Sequence, residues 1–219
     1  IFQCRYCSVW KNCGSRRSID EIEAMVESVF PGIDAISLTS GVLTGIHEEE
    51  AYVIDVVKRL LKFRLPIGVS IYPEKGTPFR LKSAGVSEVK FNLETATDHL
   101  FSVMCPGLSR GEAFAALCDA VPLFGRNHVF SNIILGLGES DEEMAGCIEN
   151  LCQNGIIPVI RPLTPGGDLA DFQPPEPSRI LRIAGIHEEM LQKYGLDPGA
   201  ALTMCPACTG CDLIPWRDT

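Results

Sequence analysis

A chain of 219 residues with no break in composition is long enough to bury one sizeable α/β core, so a single domain is the default expectation. Its formal charge of −9 and the absence of any long Lys/Arg run remove the basic footprint that nucleic-acid binding usually needs. No apolar run reaches transmembrane length and no basic-apolar leader opens the chain, so it reads as a soluble, cytoplasmic protein without a membrane partner.

Taken in chain order, amphipathic helical stretches are expected at 19–30, 48–63, 77–84, 110–124 and 141–154. Between them, short β-branched or apolar runs fall at 33–38, 66–71, 88–93, 128–135 and 156–162. Such alternation predicts parallel strands joined by right-handed helical crossovers, forming a sheet that is either open or curled into a barrel. Active residues then belong on the loops that follow the strands. Ser18 or Asp20 is placed to cap the first helix, Ser140 precedes the acidic opening of another, and Asn154-Gly155 is placed to end it. A breaker-rich loop follows Pro162, then a helix at 178–194 and an irregular tail. This divides the chain into a barrel unit, 1–195, and a cysteine-rich tail, 196–219.

Ten cysteines are unusual for a chain whose apolar pattern can bury a core without disulfides. Cys105, Cys118, Cys147 and Cys152 are isolated, and the last three fall in or near predicted helices, where a thiol serves as a small apolar filler. Cys4, Cys7 and Cys13 cluster at one end of the chain, and Cys205, Cys208 and Cys211 at the other. Two separated thiol triplets are hard to explain by packing. The spacing Cys4-Arg5-Tyr6-Cys7 lets two sulfurs converge on an iron–sulfur cluster or on zinc, with an aromatic ring between them. Cys205-Pro-Ala-Cys208-Thr-Gly-Cys211 repeats the spacing, and Gly210 allows a tight turn; the pattern suits a second cluster or, equally by spacing, a tetrahedral zinc.

The Cys4-x-x-Cys7 pair with Tyr6 before its last cysteine resembles the latter part of the C-x-x-x-C-x-x-C motif of the radical S-adenosylmethionine (SAM) superfamily. The motif's first cysteine would fall immediately before Ile1, so the resemblance implies a chain shortened by that ligand and the first strand; Cys13 is the alternative third ligand. The implied fold is a partial (β/α)6-type TIM barrel. Further segments resemble the biotin synthase-like branch, in the order and in the loops where that fold needs them. Thr39-Ser40-Gly41 resembles the segment that receives the methionine amine of SAM, and Asn92 with Glu94 resembles an N-x-D/E element near the ribose hydroxyls. Gly136, Gly138 and Glu139 resemble part of a G-x-I-x-G-x-x-E segment on the adenine side.

The resemblance implies a [4Fe-4S] cluster on Cys4 and Cys7 that binds SAM, together with an electron donor such as ferredoxin or flavodoxin. By analogy with biotin and lipoyl synthases, it also implies a second [4Fe-4S] cluster on Cys205, Cys208 and Cys211 that gives sulfur to an unactivated C–H bond. The tail should then fold over the barrel mouth. An archaeal-type lipoyl synthase subunit is the nearest likeness, which would bring a lipoyl-carrier protein and a partner radical SAM subunit as partners. Arg161, at a strand end, binds an anionic substrate group or caps the sheet edge. The competing function is a non-catalytic zinc or iron–sulfur protein whose termini are stapled by metal.

Overall fold

The computed structural model describes residues 2–7, 11, 16–208 and 213–216. Five strands, β1 (Ile36–Thr39), β2 (Ile67–Ser70), β3 (Glu88–Lys90), β4 (Val129–Leu135) and β5 (Ile157–Pro162), form one parallel sheet in sequential order. Helices α1 (Ile19–Val29), α2 (Ile46–Leu60), α3 (Thr77–Ser83), α4 (Asp98–Met104), α5 (Arg110–Phe124), α6 (Asp141–Gln153) and α7 (Pro177–Tyr194) lie along the chain with these strands, followed by the short α8 (Met204–Ala207). Sequential parallel neighbours with helical crossovers make the wall of a (β/α) barrel. Among the described residues the wall does not close on itself. No helix of the described residues is long and apolar enough to cross a membrane.

Local sequence chemistry sets the helix starts. Ser18 caps α1 and Ser140 caps α6, each through a reciprocal capping box with Glu21 or Glu143 three residues on. Of the two caps considered for the first helix, Ser18 is therefore the one used. Helix α4 was not expected from periodicity; Thr97 accepts from the Leu100 amide, and Asp98 adds a negative charge to the first turn.

Strand alternation divides the residues into two faces. One face, with Ile67, Val69, Val89, Ile133 and Leu135, continues into Phe91 and Leu93 and is buried beneath the helices. Truncating Phe91, which is fully buried, to Ala would cost about 3–5 kcal/mol. The pairing register Ser37↔Gly68, Thr39↔Ser70, Ser70↔Lys90 and Ile134↔Arg161 places the other set on the opposite, concave face, where Ser70, Lys90, Asn132 and Arg161 stand among Phe130 and Ile134. An inner face with this many polar groups suits a ligand chamber better than a second hydrophobic core. The tail belongs to the same body, since Leu196, Met204 and Ile214 join the main core cluster.

Candidate functional site

At the ends of the strands lies a cavity of about 860 Å³, walled by Cys4, Tyr6 and Cys7, by Thr39, Ser40 and Gly41, and by Asn92 and Glu94. The loop bearing Cys4 and Cys7 turns on a Cys7 N–H to Cys4 carbonyl bond of 3.0 Å, and the Arg5 amide, 2.9 Å from the Met104 carbonyl, ties it to the end of α4. Phe2 packs at 6.1 Å from the Tyr72 ring, and the Tyr72 hydroxyl bonds both backbone groups of Ser109, so the loop rests on the β2 and α5 ends as well.

The segment after β1 is held from below. The Ser40 amide donates to the Ser70 carbonyl at 3.1 Å, while the Ser40 hydroxyl donates to Glu49, a buried carboxylate that also pairs with Arg16 at 2.5 Å. A Cβ placed on Gly41 would meet no protein atom within 4 Å, so this glycine leaves open space against the cavity instead of satisfying a packing demand.

After β3 the backbone ladder is completed by side chains: Asn92 Oδ1 accepts the Asn132 amide at 3.2 Å and Ser131 Oγ accepts the Leu93 amide at 2.9 Å. Glu94 is held at φ 58°, in the left-handed region that a residue with a Cβ avoids. Its amide and carbonyl still bridge to β4, at 2.8 Å to the Asn132 carbonyl and 2.9 Å from the Ile134 amide, so the surrounding pairing enforces the strain. Burial pushes the Glu94 carboxyl up; hydrogen bonds from Asn92 and Tyr6 and the charges of Lys90 and Arg161 oppose it. Burial and the neighbouring Glu94 charge likewise push the Tyr6 phenol up, which keeps it a proton donor.

Cys105, expected to be unremarkable, is a neighbour of the cluster loop. Its sulfur lies 3.7 Å from the Tyr6 hydroxyl and also bonds Cys4; the bond between the two thiols lowers the Cys4 thiol and, with burial, raises the Cys105 thiol, which the Tyr6 bond opposes. No sequence signal marks Cys105, because the contact joins segments 99 residues apart. Among the described residues no three His, Cys, Asp or Glu side chains converge in a geometry that would hold a metal ion.

Other expected residues sit elsewhere. Glu139 does not line the cavity; its fully buried carboxylate accepts the Gly136 amide at 2.7 Å and the Leu137 amide at 2.9 Å and pairs with Arg179 at 3.1 Å. It shapes the turn in which Gly136 and Gly138 take φ 110° and 117°. These three do not line the 860 Å³ cavity, although Leu137 packs in a small apolar cluster that Cys4 and Tyr6 join. Arg161 occupies the concave face of β5 near Glu94. Cys13 and Cys211 lie outside the described residues.

Among the described residues the tail does not arch over the mouth as expected. Thr203, Met204 and Cys205 lie inside the lumen, with Cys205 Sγ 3.1 Å from Lys90 Nζ and 4.0 Å from Asn132 Oδ1, while Leu202 and Cys208 are exposed. Lys90 was legible in principle, since it shares the two-residue period of Asn92 and Glu94.

The site therefore offers two thiols with an aromatic ring between them, an open glycine, hydroxyls on the β1 side and a carboxylate on the β3 side, all around one chamber. A cluster with an adenosyl ligand fits this donor set and volume. Comparisons with known proteins agree. The family model described as the Radical SAM superfamily matches residues 1–151. Among solved structures, HydG, a maturase of the [FeFe]-hydrogenase, superposes with a TM-score of 0.69 at 18% identity, covering 89% of this chain and 47% of that one. Methylornithine synthase (PylB) gives a TM-score of 0.67 at 18% identity, covering 85% and 59%. Coproporphyrinogen III oxidase (HemN) from Escherichia coli, described as a radical SAM enzyme, gives a TM-score of 0.59 at 14% identity, covering 88% and 50%. The chain thus spans about half the length of these proteins. A comparison with curated protein sequences finds no match.

Proposed function

Because the chain belongs to the radical SAM superfamily, we propose that it houses the radical-generating site of an enzyme that functionalises a C–H bond, with Cys4 and Cys7 as cluster ligands. The observation that carries this reading is the convergence of Cys4, Cys7, Ser40, Gly41 and Glu94 on one 860 Å³ cavity. When bound, a reduced [4Fe-4S] cluster supplies the electron that splits SAM into methionine and a 5′-deoxyadenosyl radical.

This chain's own residues do the positioning. Cys4 and Cys7 would ligate the cluster, and Tyr6 would shield it on the side of Cys105 and Glu94. The open face at Gly41, with the Thr39 and Ser40 backbone, would receive the polar end of the methionine moiety. Glu94, strained and lining the chamber, would accept from ribose hydroxyls, while Asn92 spends its carbonyl oxygen on the β4 backbone and orients Glu94. Leu137, Phe101 and Leu108 keep water from the cluster side.

The finer reading is sulfur insertion of the biotin or lipoyl synthase type. What supports it is the Cys205-x-x-Cys208-x-x-Cys211 spacing together with the placement of Cys205 inside the barrel. In this reading the triplet binds a second cluster, a ferredoxin or flavodoxin delivers electrons, and a lipoyl-carrier protein and a second radical SAM subunit are the partners. The solved relatives are named for other activities, and fold likeness alone assigns no substrate.

The test is anaerobic reconstitution of the full-length protein with iron and sulfide, reduction, and addition of SAM. Formation of 5′-deoxyadenosine that is lost in Cys7→Ala supports the reading. Tight zinc without SAM binding would support the stapled protein instead.

A further inference from the structure

We infer that Glu88 is a latch that seats the cysteine-bearing tail inside the barrel, delivering Cys205 to the chamber beneath the cofactor site. The inference deepens the proposed function and rests on that reading for its purpose, though not for its structural content.

Glu88 opens β3 on the concave face, and its side chain is fully buried. A carboxylate has about four lone-pair sites. All four are taken: the Leu202 amide donates at 2.8 Å, the Thr203 amide at 2.7 Å and the Thr203 hydroxyl at 2.5 Å, and His128 Nδ1 lies 2.8 Å away. Three of these partners belong to the tail, more than 100 residues further along the chain. A charge buried this deeply costs stability unless such bonds are made, so its presence specifies one arrangement of the tail over others.

The lumen is shaped for the same segment. A Cβ on Gly68 would collide with Thr203 Oγ1 and approach Met204 Cε to 2.7 Å, so β2 leaves out a side chain where the tail lies. Ser37 Oγ accepts the Met204 amide at 3.0 Å, and Met204 is held at φ 62°, a strained conformation that persists only because the seat over-determines it.

The inner side chains of β3 then form a column. Glu88 grips Thr203, Lys90 meets Cys205 at 3.1 Å, Asn92 and Glu94 line the cofactor cavity, and Tyr6 and Cys4 close it above. The tail thiol and the cluster loop are thus mounted on opposite ends of one short strand segment. Released from Glu88, residues 202–208 would lose three hydrogen bonds to the barrel wall, and Cys205 would leave the chamber. Glu88 acts as a positioning residue and touches neither cofactor nor substrate.

The test is peptide-resolved N-ethylmaleimide labelling of the reduced, full-length apoprotein, with exposed Cys208 as the reference and buried Cys152 as the folding control. In the unaltered protein Cys205 is expected to label at least about tenfold more slowly than Cys208, the protection of a seated segment. Glu88→Ala removes the latch, and Gly68→Ala fills the seat without touching the latch. Both should bring the two rates within about threefold while Cys152 stays protected, and Glu88→Gln, which keeps a carbonyl acceptor, should restore part of the protection.

Equal labelling of Cys205 and Cys208 in the unaltered protein, or unchanged protection in both variants, would overturn the latch. Exposure of Cys152 in both variants would also overturn it, because the tail would then be inseparable from the fold. The formation of 5′-deoxyadenosine from SAM reads the mouth separately and should stay within about threefold in Gly68→Ala, where the altered residue lies outside the cavity wall. Its absence from the unaltered protein would sink the radical reading while leaving the labelling result, and the latch, standing.

Discussion

The Tyr6 hydroxyl lies 3.7 Å from the sulfur of Cys105, across 99 residues of chain. That contact makes α4 and its terminal cysteine part of the cluster loop's support. It also raises the question whether Cys105 is a ligand or a neighbour.

The geometry favours a neighbour, since Cys105 is buried in an apolar cluster with Phe101, Met104 and Leu137. Cys105→Ala is expected to retain the iron content of the reconstituted protein and to lose about 1–2 kcal/mol of stability from the cavity it leaves. Cys4→Ala is expected to lose the share of iron held by the Cys4–Cys7 cluster. Iron analysis beside a denaturant melt separates the two, and equal iron loss in both variants would make Cys105 a ligand.

Glu94 carries a cost that its position repays only in function. Its left-handed backbone and desolvated carboxyl mean that Glu94→Gly should be neutral or stabilising by up to about 1 kcal/mol, while SAM binding weakens by at least about tenfold. Urea melts and equilibrium binding of SAM give the two readings. A large loss of stability with unchanged binding would show that Glu94 serves the fold instead.

Glu139 is expected to behave the opposite way. Glu139→Gln removes a buried carboxylate from two amides and from Arg179, at a cost of about 1–3 kcal/mol, because the buried partners are left imperfectly paired. SAM affinity of the folded fraction should change little, since the residue does not line the cavity. A selective loss of binding would restore a direct cofactor role.

His187 sets an acid limit to stability. It is buried in α7 with its Nε2 unpartnered among the described residues, and burial pushes its pKa down to about 3 while the Pro158 carbonyl opposes the shift. The unfolded chain takes up this proton near pH 6.5 and the folded one only near 3, so the contribution is complete above pH 6.5. It is lost as pH falls between those values, at about 1.4 kcal/mol per unit for this group. His187→Leu should flatten that limb of the stability profile in urea titrations from pH 7 to 4; an unchanged slope would locate the acid sensitivity in other groups.

Much of the architecture was legible because period-two and period-3.6 patterns report burial directly. The runs at 66–71 and 128–135 contain β2 and β4, and the helix expected at 110–124 is α5. The run at 33–38 was placed early, since β1 begins at Ile36. Helix α4 escaped because seven residues give too few repeats of an apolar stripe. The loops carrying Ser40 and Glu94 were legible as strand ends. Cys105 and the Glu88 seat were not, because both depend on partners about 100 or more residues away, and no local pattern encodes such contacts.

The central claim is that Cys4 and Cys7 serve a cluster that cleaves SAM inside this barrel. The most direct measurement is the electron paramagnetic resonance spectrum of the reduced, anaerobically reconstituted full-length protein before and after SAM is added. The account predicts a [4Fe-4S] signal component that SAM shifts and that disappears in Cys7→Ala. A SAM-responsive component that persists in Cys7→Ala, or the absence of any component that SAM shifts, would contradict it.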